Sequence, residues 1–210
     1  MLFRSRGVCG PRRRWLRAVR VLWSDIPTPT FDALAAGGLR YANFHVTPMC
    51  SPTRASLLTG RNHHAVGLGA VAEFATASPG YTGRLSRRAA TLAEMLRPHG
   101  YNSVAFGKWH LMPLREATAA GPFDAWPLQR GFDRWYGFPS GFADQWHPEL
   151  FEDNHSVPIP SRPGYHLSED LVDRAIANLR DQQAASPGKP FFLYLRSEEH
   201  TSELQSLRHL

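Results

Sequence analysis

The sequence predicts an α/β fold, with a mostly parallel sheet flanked by helices. Three observations carry this reading. At 210 residues and 42% hydrophobic content the chain can bury a core of its own. Helix-like and strand-like segments alternate in three successive pairs, the order that builds parallel sheets. The polar motifs fall just after predicted strands, on the sheet edge where open α/β folds bind ligands.

The first pair begins at "TPTFDALAAGG". Thr28 is placed to N-cap a helix, Pro29 suits its first position, Phe31 and Leu34 share a face, and Gly37 with Gly38 stops it. The strand that follows is expected over residues 39–46, "LRYANFHV". In the second pair, "RRAATLAEMLRPHG" sets Ala89, Leu92, Ala93 and Leu96 on one helical face and closes at Gly100, after which "YNSVAF" reads as a buried strand. The third pair is "SEDLVDRAIANLRDQQAA", capped by Ser168 with Leu171, Ala175, Ile176 and Leu179 on one face, followed by "PFFLYL". Residues 112–165 are rich in proline, glycine and aromatics and are expected to form a long connection that shapes a pocket rim.

Composition narrows the function. With two cysteines, Cys9 and Cys50, there is no disulfide framework. No run approaches the roughly 18 apolar residues of a membrane span, and the arginine-rich start lacks the apolar stretch of a signal peptide. The formal charge is +6, but seven arginines precede the first acid, Asp25; without them 17 basic residues face 18 acidic ones. The positive charge belongs to one end, so no nucleic-acid surface is expected.

The stretch "CSPTRASLLTGR", residues 50–61, carries the single cysteine of the body of the chain. Ser51 suits an N-cap, Pro52 the first helical turn and Gly60 the stop, which sets Cys50 just before a helix amino terminus. Free N–H groups and the positive end of the helix dipole favour an anion there. Arg54, one turn in, can point back to the same spot. A small buried thiol behind an ordinary helix cap is the other reading of such a cysteine. The second polar motif, "GKWHL" at residues 107–111, follows the second predicted strand directly.

Together these residues resemble the sulfatase family. Its signature Cys-x-Pro-x-Arg followed by Thr-Gly stands here as Cys50, Pro52, Arg54, Thr59 and Gly60, and "GYNSVAFGKWHL" is similar to its second signature. "IPTPTFDALAAGGLRYANFH", "RGFDRWYGF" and "KPFFLYL" also resemble family segments, so the likeness runs over about residues 25–195. The resemblance implies a truncated sulfatase/alkaline-phosphatase-like catalytic domain and cleavage of small-molecule or carbohydrate sulfate esters. It implies that a formylglycine-generating enzyme oxidises Cys50 to formylglycine, whose hydrate attacks sulfur and then collapses to release sulfate, one hard displacement split into two steps. In that scheme Arg54 steadies the hydrate, Lys108 holds a sulfate oxygen and assists the leaving group, and His110 hydrogen-bonds the hydrate or serves as base. A phosphonate or phosphate monoester hydrolase of the same superfamily, and an inactive non-enzymatic fragment, are the alternative readings.

The resemblance also implies a divalent cation, calcium in most members, held by oxygen ligands that include the group made from Cys50. Two further ligands are an Asp-Asp pair about sixteen residues before Thr28, where this sequence has Arg12 and Arg13. The remaining ligands are expected beyond Leu210. Residues 2–5, "LFRS", and 196–206, "RSEEHTSELQS", read like translated sequencing adapter, so residues 1–24 and 196–210 are expected to be aberrant ends around a partial catalytic domain at 25–195. A chain ending at an inner strand without the metal aspartates is expected to be inactive and marginally stable. The basic stretch is expected to be the metal loop in a shifted frame: CGA before a codon that starts with C becomes GAC, aspartate. The DNA checks this directly, since AGA or AGG codons at Arg12 and Arg13 would overturn it.

Overall fold

The computed structural model describes residues 27–41 and 44–197. Cys9, Arg12, Arg13, the adapter-like residues 2–5 and most of the adapter-like stretch 196–206 lie outside them. The chain divides into a unit Met1–Thr47 and a unit Pro48–Leu210. In the first, α1 spans Pro29–Gly37, with Thr28 at the N-cap, Pro29 opening the helix and Gly38 ending it, as the sequence indicates. The strand expected after it is not seen among the described residues of 39–46, none of which is assigned to a sheet. Leu39 and Tyr41 stand exposed there, and an apolar stretch gains nothing from strand geometry without a sheet face to cover it.

The second unit holds a five-stranded sheet in the order β4-β3-β2-β1-β5. Its strands are β1 (Asn102–Gly107), β2 (Arg134–Gly137), β3 (Leu150–Glu152), β4 (His155–Val157) and β5 (Phe191–Arg196). β1 is parallel to both β2 and β5, in register Val104 with Arg134 and with Leu193. β2–β3 and β3–β4 are antiparallel, so the sheet is mixed where a mostly parallel one was expected. The long connection is the reason. Residues 112–165 are not a connection without structure of its own: they supply three strands, each too short to leave a period-2 signal in the sequence, while residues 138–141 run beside His110.

β1 is buried on both faces, and its side chains divide between two cores. Ala105 joins Trp109, Trp126, Phe132, Trp135, Phe151 and Tyr194 on one face. Val104 and Phe106 meet Tyr136, Phe138, Leu150, Leu167, Leu171 and Ala175 on the other. That alternation is the strand period of two read in three dimensions. The second core lies under α4 (Leu167–Ala185), whose inward residues are Leu167, Asp170, Leu171 and Ala175. Ile176, expected on that face, is instead exposed, because Ala175 and Leu171 already occupy the line facing the sheet. His166, not Ser168, is the N-cap; Ser168 donates its hydroxyl to Gln145 Oε1 at 3.2 Å. Asp170 locks α4 to the sheet, accepting from Tyr136 OH at 2.5 Å, and burial beside this carboxylate pushes the Tyr136 phenol well up.

On the other face, α3 (Leu92–Leu96) starts at a capping box in which Thr91 and Glu94 satisfy each other's backbone N–H groups. Buried Arg130 ties this region together, donating to Leu85 O at 2.8 Å and Ala89 O at 2.7 Å. Trp126 lies at the centre of the aromatic core, edge-on to Trp135 and Phe151 at 5.4 and 5.2 Å, with its Nε1–H donated to Glu116 O at 3.0 Å. Trp126→Ala is therefore expected to cost about 3–5 kcal/mol, read as a lowered urea midpoint.

Candidate active site

The site forms where α2 (Cys50–Thr59) meets the end of β1. Cys50 is the first residue of α2 and Met49 its N-cap, two residues earlier than the expected cap at Ser51. Ser51 is not the cap. It is buried, and its Oγ accepts from Ala72 N at 3.3 Å. This bond anchors the short turn Ala72–Phe74 and so sets Glu73 beside the helix start. Gly60 ends α2 with φ 65, as predicted.

At the other side, β1 runs to Gly107, where φ is 93 and a Cβ would lie 1.8 Å from Arg196 O, so no other residue fits. Beyond it the chain stays tethered: Lys108 N donates to Arg196 O, Trp109 N to Phe138 O and His110 N to Pro139 O, at 3.0, 3.0 and 3.1 Å. Trp109 is buried in the aromatic core and donates Nε1–H to Ala125 O at 2.8 Å. His110 adopts φ 54, a left-handed conformation uncommon outside glycine and characteristic of functional sites.

The four predicted site residues lie on two neighbouring segments, Cys50 and Arg54 in α2 and Lys108 and His110 just past β1. Cys50 Sγ lies 3.1 Å from His110 Nδ1. Arg54 and Lys108 are each 1% exposed. Arg54 donates Nη1–H to Lys108 O at 2.8 Å and, more weakly, to Tyr194 OH at 3.5 Å, fastening α2 to the strand end. The sequence did not single out Glu73. His110 Nε2 lies 2.9 and 2.7 Å from its two carboxylate oxygens. An acid within "GAVAEFAT" is the only sequence signal, and it belongs to no motif. Gly141 went unnoticed as well: a Cβ there would lie 2.7 Å from Glu73 Oε1 and 2.9 Å from His110 Nε2.

Electrostatics follow from this geometry. Burial alone would lower the His110 pKa, but hydrogen bonds with Cys50 and Glu73 and their charges outweigh it, and the ring titrates above its ordinary value. Partial burial would raise Glu73; the hydrogen bond and charge of His110, with smaller contributions from its own backbone N–H and from Lys108, hold it below the usual carboxylate range instead. The edge thus brings together a helix amino terminus, the buried Arg54 and Lys108 and an imidazole held between Cys50 and Glu73. It can receive an anion and activate a nucleophile at residue 50.

Metal ligation is a different matter. Among the described residues no group of three or more His, Cys, Asp or Glu side chains converges on a metal position. A calcium ion takes roughly six to eight oxygen donors, whereas Cys50, the one ligand expected here, has the His110 nitrogen beside it and the Glu73 carboxylate paired to the far side of that ring. The described residues by themselves do not fit the ion.

Fold and site together define an α/β protein in which the amino terminus of one helix meets the end of a central strand at one sheet edge. The family model described as Sulfatase matches residues 17–200, and the chain belongs to the sulfatase family. It is 35% identical over 195 residues to arylsulfatase A of Bos taurus, covering 83% of this chain and 36% of that protein. It is 31% identical over 196 residues to arylsulfatase J of Mus musculus, covering 87% and 30%. A sulfatase of Schizosaccharomyces pombe is 33% identical over 186 residues, covering 82% and 33%. The chain thus spans about a third of the length of these relatives. Among solved structures, yidJ of Bacteroides fragilis, described as a candidate sulfatase, has the same fold at a TM-score of 0.67 and 23% identity, covering 90% of this chain and 42% of that one.

Proposed function

We infer that the full-length protein hydrolyses sulfate esters, with residue 50 acting as formylglycine made from Cys50. The observation that carries this reading is the contact of Cys50 Sγ with His110 Nδ1 at 3.1 Å, at the start of α2 and beside buried Arg54 and Lys108. The thiol stands where a hydroxyl of the aldehyde hydrate belongs. That hydrate supplies a nucleophile for sulfur and, by returning to the aldehyde, a route for sulfate to leave.

This chain's own residues do the rest. His110 accepts or returns a proton at Nδ1. Lys108 contributes positive charge where the sulfate oxygens and the leaving oxygen gather negative charge, and in a buried place that charge acts at low dielectric. Arg54 holds the strand end against the helix and adds a second cation. Calcium, which the family generally uses, would supply further charge through ligands outside the described residues, and no step here is routed through it.

Modification must precede closure of the site. Pro52 and Arg54, which with Cys50 make up the sequence read by a formylglycine-generating enzyme, are buried in the folded chain. The names of the relatives make an aryl sulfate the natural first substrate. Full-length protein, co-produced with the modifying enzyme, is expected to turn over an aryl sulfate faster than the matching aryl phosphate; the reverse order would reassign it to phosphate or phosphonate monoesters.

A further inference from the structure

The geometry points to Glu73 as a positioning residue that fixes which face and which nitrogen of His110 meet residue 50, with Gly141 giving the space in which the two side chains pair. This inference rests on the sulfate-ester reading above. Its basis is the chain of contacts through one ring: Nδ1 lies 3.1 Å from Cys50 Sγ, and Nε2 lies 2.9 and 2.7 Å from Glu73 Oε1 and Oε2. A carboxylate only accepts, so the proton on Nε2 is fixed there. Nδ1 is then the nitrogen left to exchange a proton with residue 50. The same Nε2–H···O bond exists whether the ring is neutral or charged, so the orientation survives a proton transfer at Nδ1. An imidazole aimed by a carboxylate at its far nitrogen is the arrangement by which a general base keeps one tautomer.

The support of Glu73 is itself built. Its turn, Ala72–Phe74, is tied to the start of α2 by Ser51 Oγ accepting from Ala72 N, so the carboxylate and the nucleophile position share one anchor. Opposite, Gly141 is not required by its backbone, which lies outside the left-handed region. What excludes a side chain there is the approach: a Cβ would come within 2.7 Å of Glu73 Oε1 and 2.9 Å of His110 Cε1 and Nε2. Two separate substitutions therefore reach the same pair from different sides.

Glu73→Leu removes the acceptor at similar volume, and Gly141→Ala wedges the pair while leaving Glu73 in place. In the full-length protein both are expected to lower kcat for an aryl sulfate by about 10–1,000-fold, with KM changed little, as for loss of an oriented base. Nitrogen-15 spectra of the His110 ring, taken at a pH where it is neutral, are expected to show the proton on Nε2 in the parent protein and a tautomer mixture in both variants, a change that a merely structural role would not produce. Unchanged kcat in a folded variant, or a parent ring protonated at Nδ1, overturns the inference. A parent protein without sulfate-ester turnover overturns the proposed function instead, and the ring tautomers then decide this inference alone.

Discussion

Cys50→Ala in the full-length protein is expected to lower sulfate-ester turnover by at least about 10⁴-fold, the scale on which removal of a covalent nucleophile acts when the rest of a site survives. The fold should be untouched. Cys50 is only half-buried, opens α2 as a helical residue rather than as its cap, and is not in a disulfide, while alanine is the best helix former. The paired measurement is the mass of the tryptic peptide covering residues 41–54 from active parent protein. It should carry the mass loss of a thiol exchanged for an aldehyde, or the corresponding hydrate. An active preparation holding only unmodified Cys50 would sink the formylglycine mechanism, since a thiol would then be doing the work. The same result would leave the contact between residue 50 and His110 in place and turn attention to thiol chemistry.

How far these features could be read from sequence depends on whether their signals are local. The ends of α1, the stop at Gly60, strand β1 and strand β5 are written in neighbouring residues, through Pro29, Gly60, "NSVAF" and "FFLYL", and the structure places each where expected. β2, β3 and β4 are three or four residues long and take their identity from partners: Trp135 and Phe151 pack edge-on against Trp126, a contact that nothing nearby in sequence announces. The strand expected at 39–46 failed for the converse reason. It has strand-forming residues, but Leu39 and Tyr41 are exposed and no strand forms among its described residues.

The site divides in the same way. Cys50, Arg54, Lys108 and His110 were legible because chemistry fixes their identity and spacing in two short motifs. Glu73 and Gly141 serve through a third residue, and only the fold brings segments 37 and 31 positions from His110 in sequence against its ring. A supporting residue of this kind can be met by different side chains from different loops, so it leaves no fixed spacing to find. Ser51 makes the point in reverse: it looked like a helix cap, and its hydroxyl instead holds the turn that delivers Glu73.

Lys108→Met is expected to separate catalysis from stability. Lys108 follows the last residue of β1 and is 1% exposed, and its charge is felt at Glu73, whose carboxyl it helps to hold down. In the proposed reaction negative charge grows on the leaving oxygen, and a buried fixed cation is worth about 10²–10³-fold in kcat. Methionine keeps the length and apolar stem of lysine but not the charge. A buried ammonium carries a desolvation cost that a thioether does not, so the substitution should leave the unfolding midpoint unchanged or raise it. The backbone bond from Arg54 Nη1 to Lys108 O at 2.8 Å does not depend on the side chain and should persist. Activity lost at undiminished stability therefore identifies the ammonium as part of the reaction, because a lysine serving only the fold would give lowered stability with kcat largely retained. Lys108→Arg is not expected to rescue, since a planar guanidinium is larger and donates in fixed directions. Steady-state kinetics with an aryl sulfate, beside urea unfolding of the same preparations, decides between the two roles.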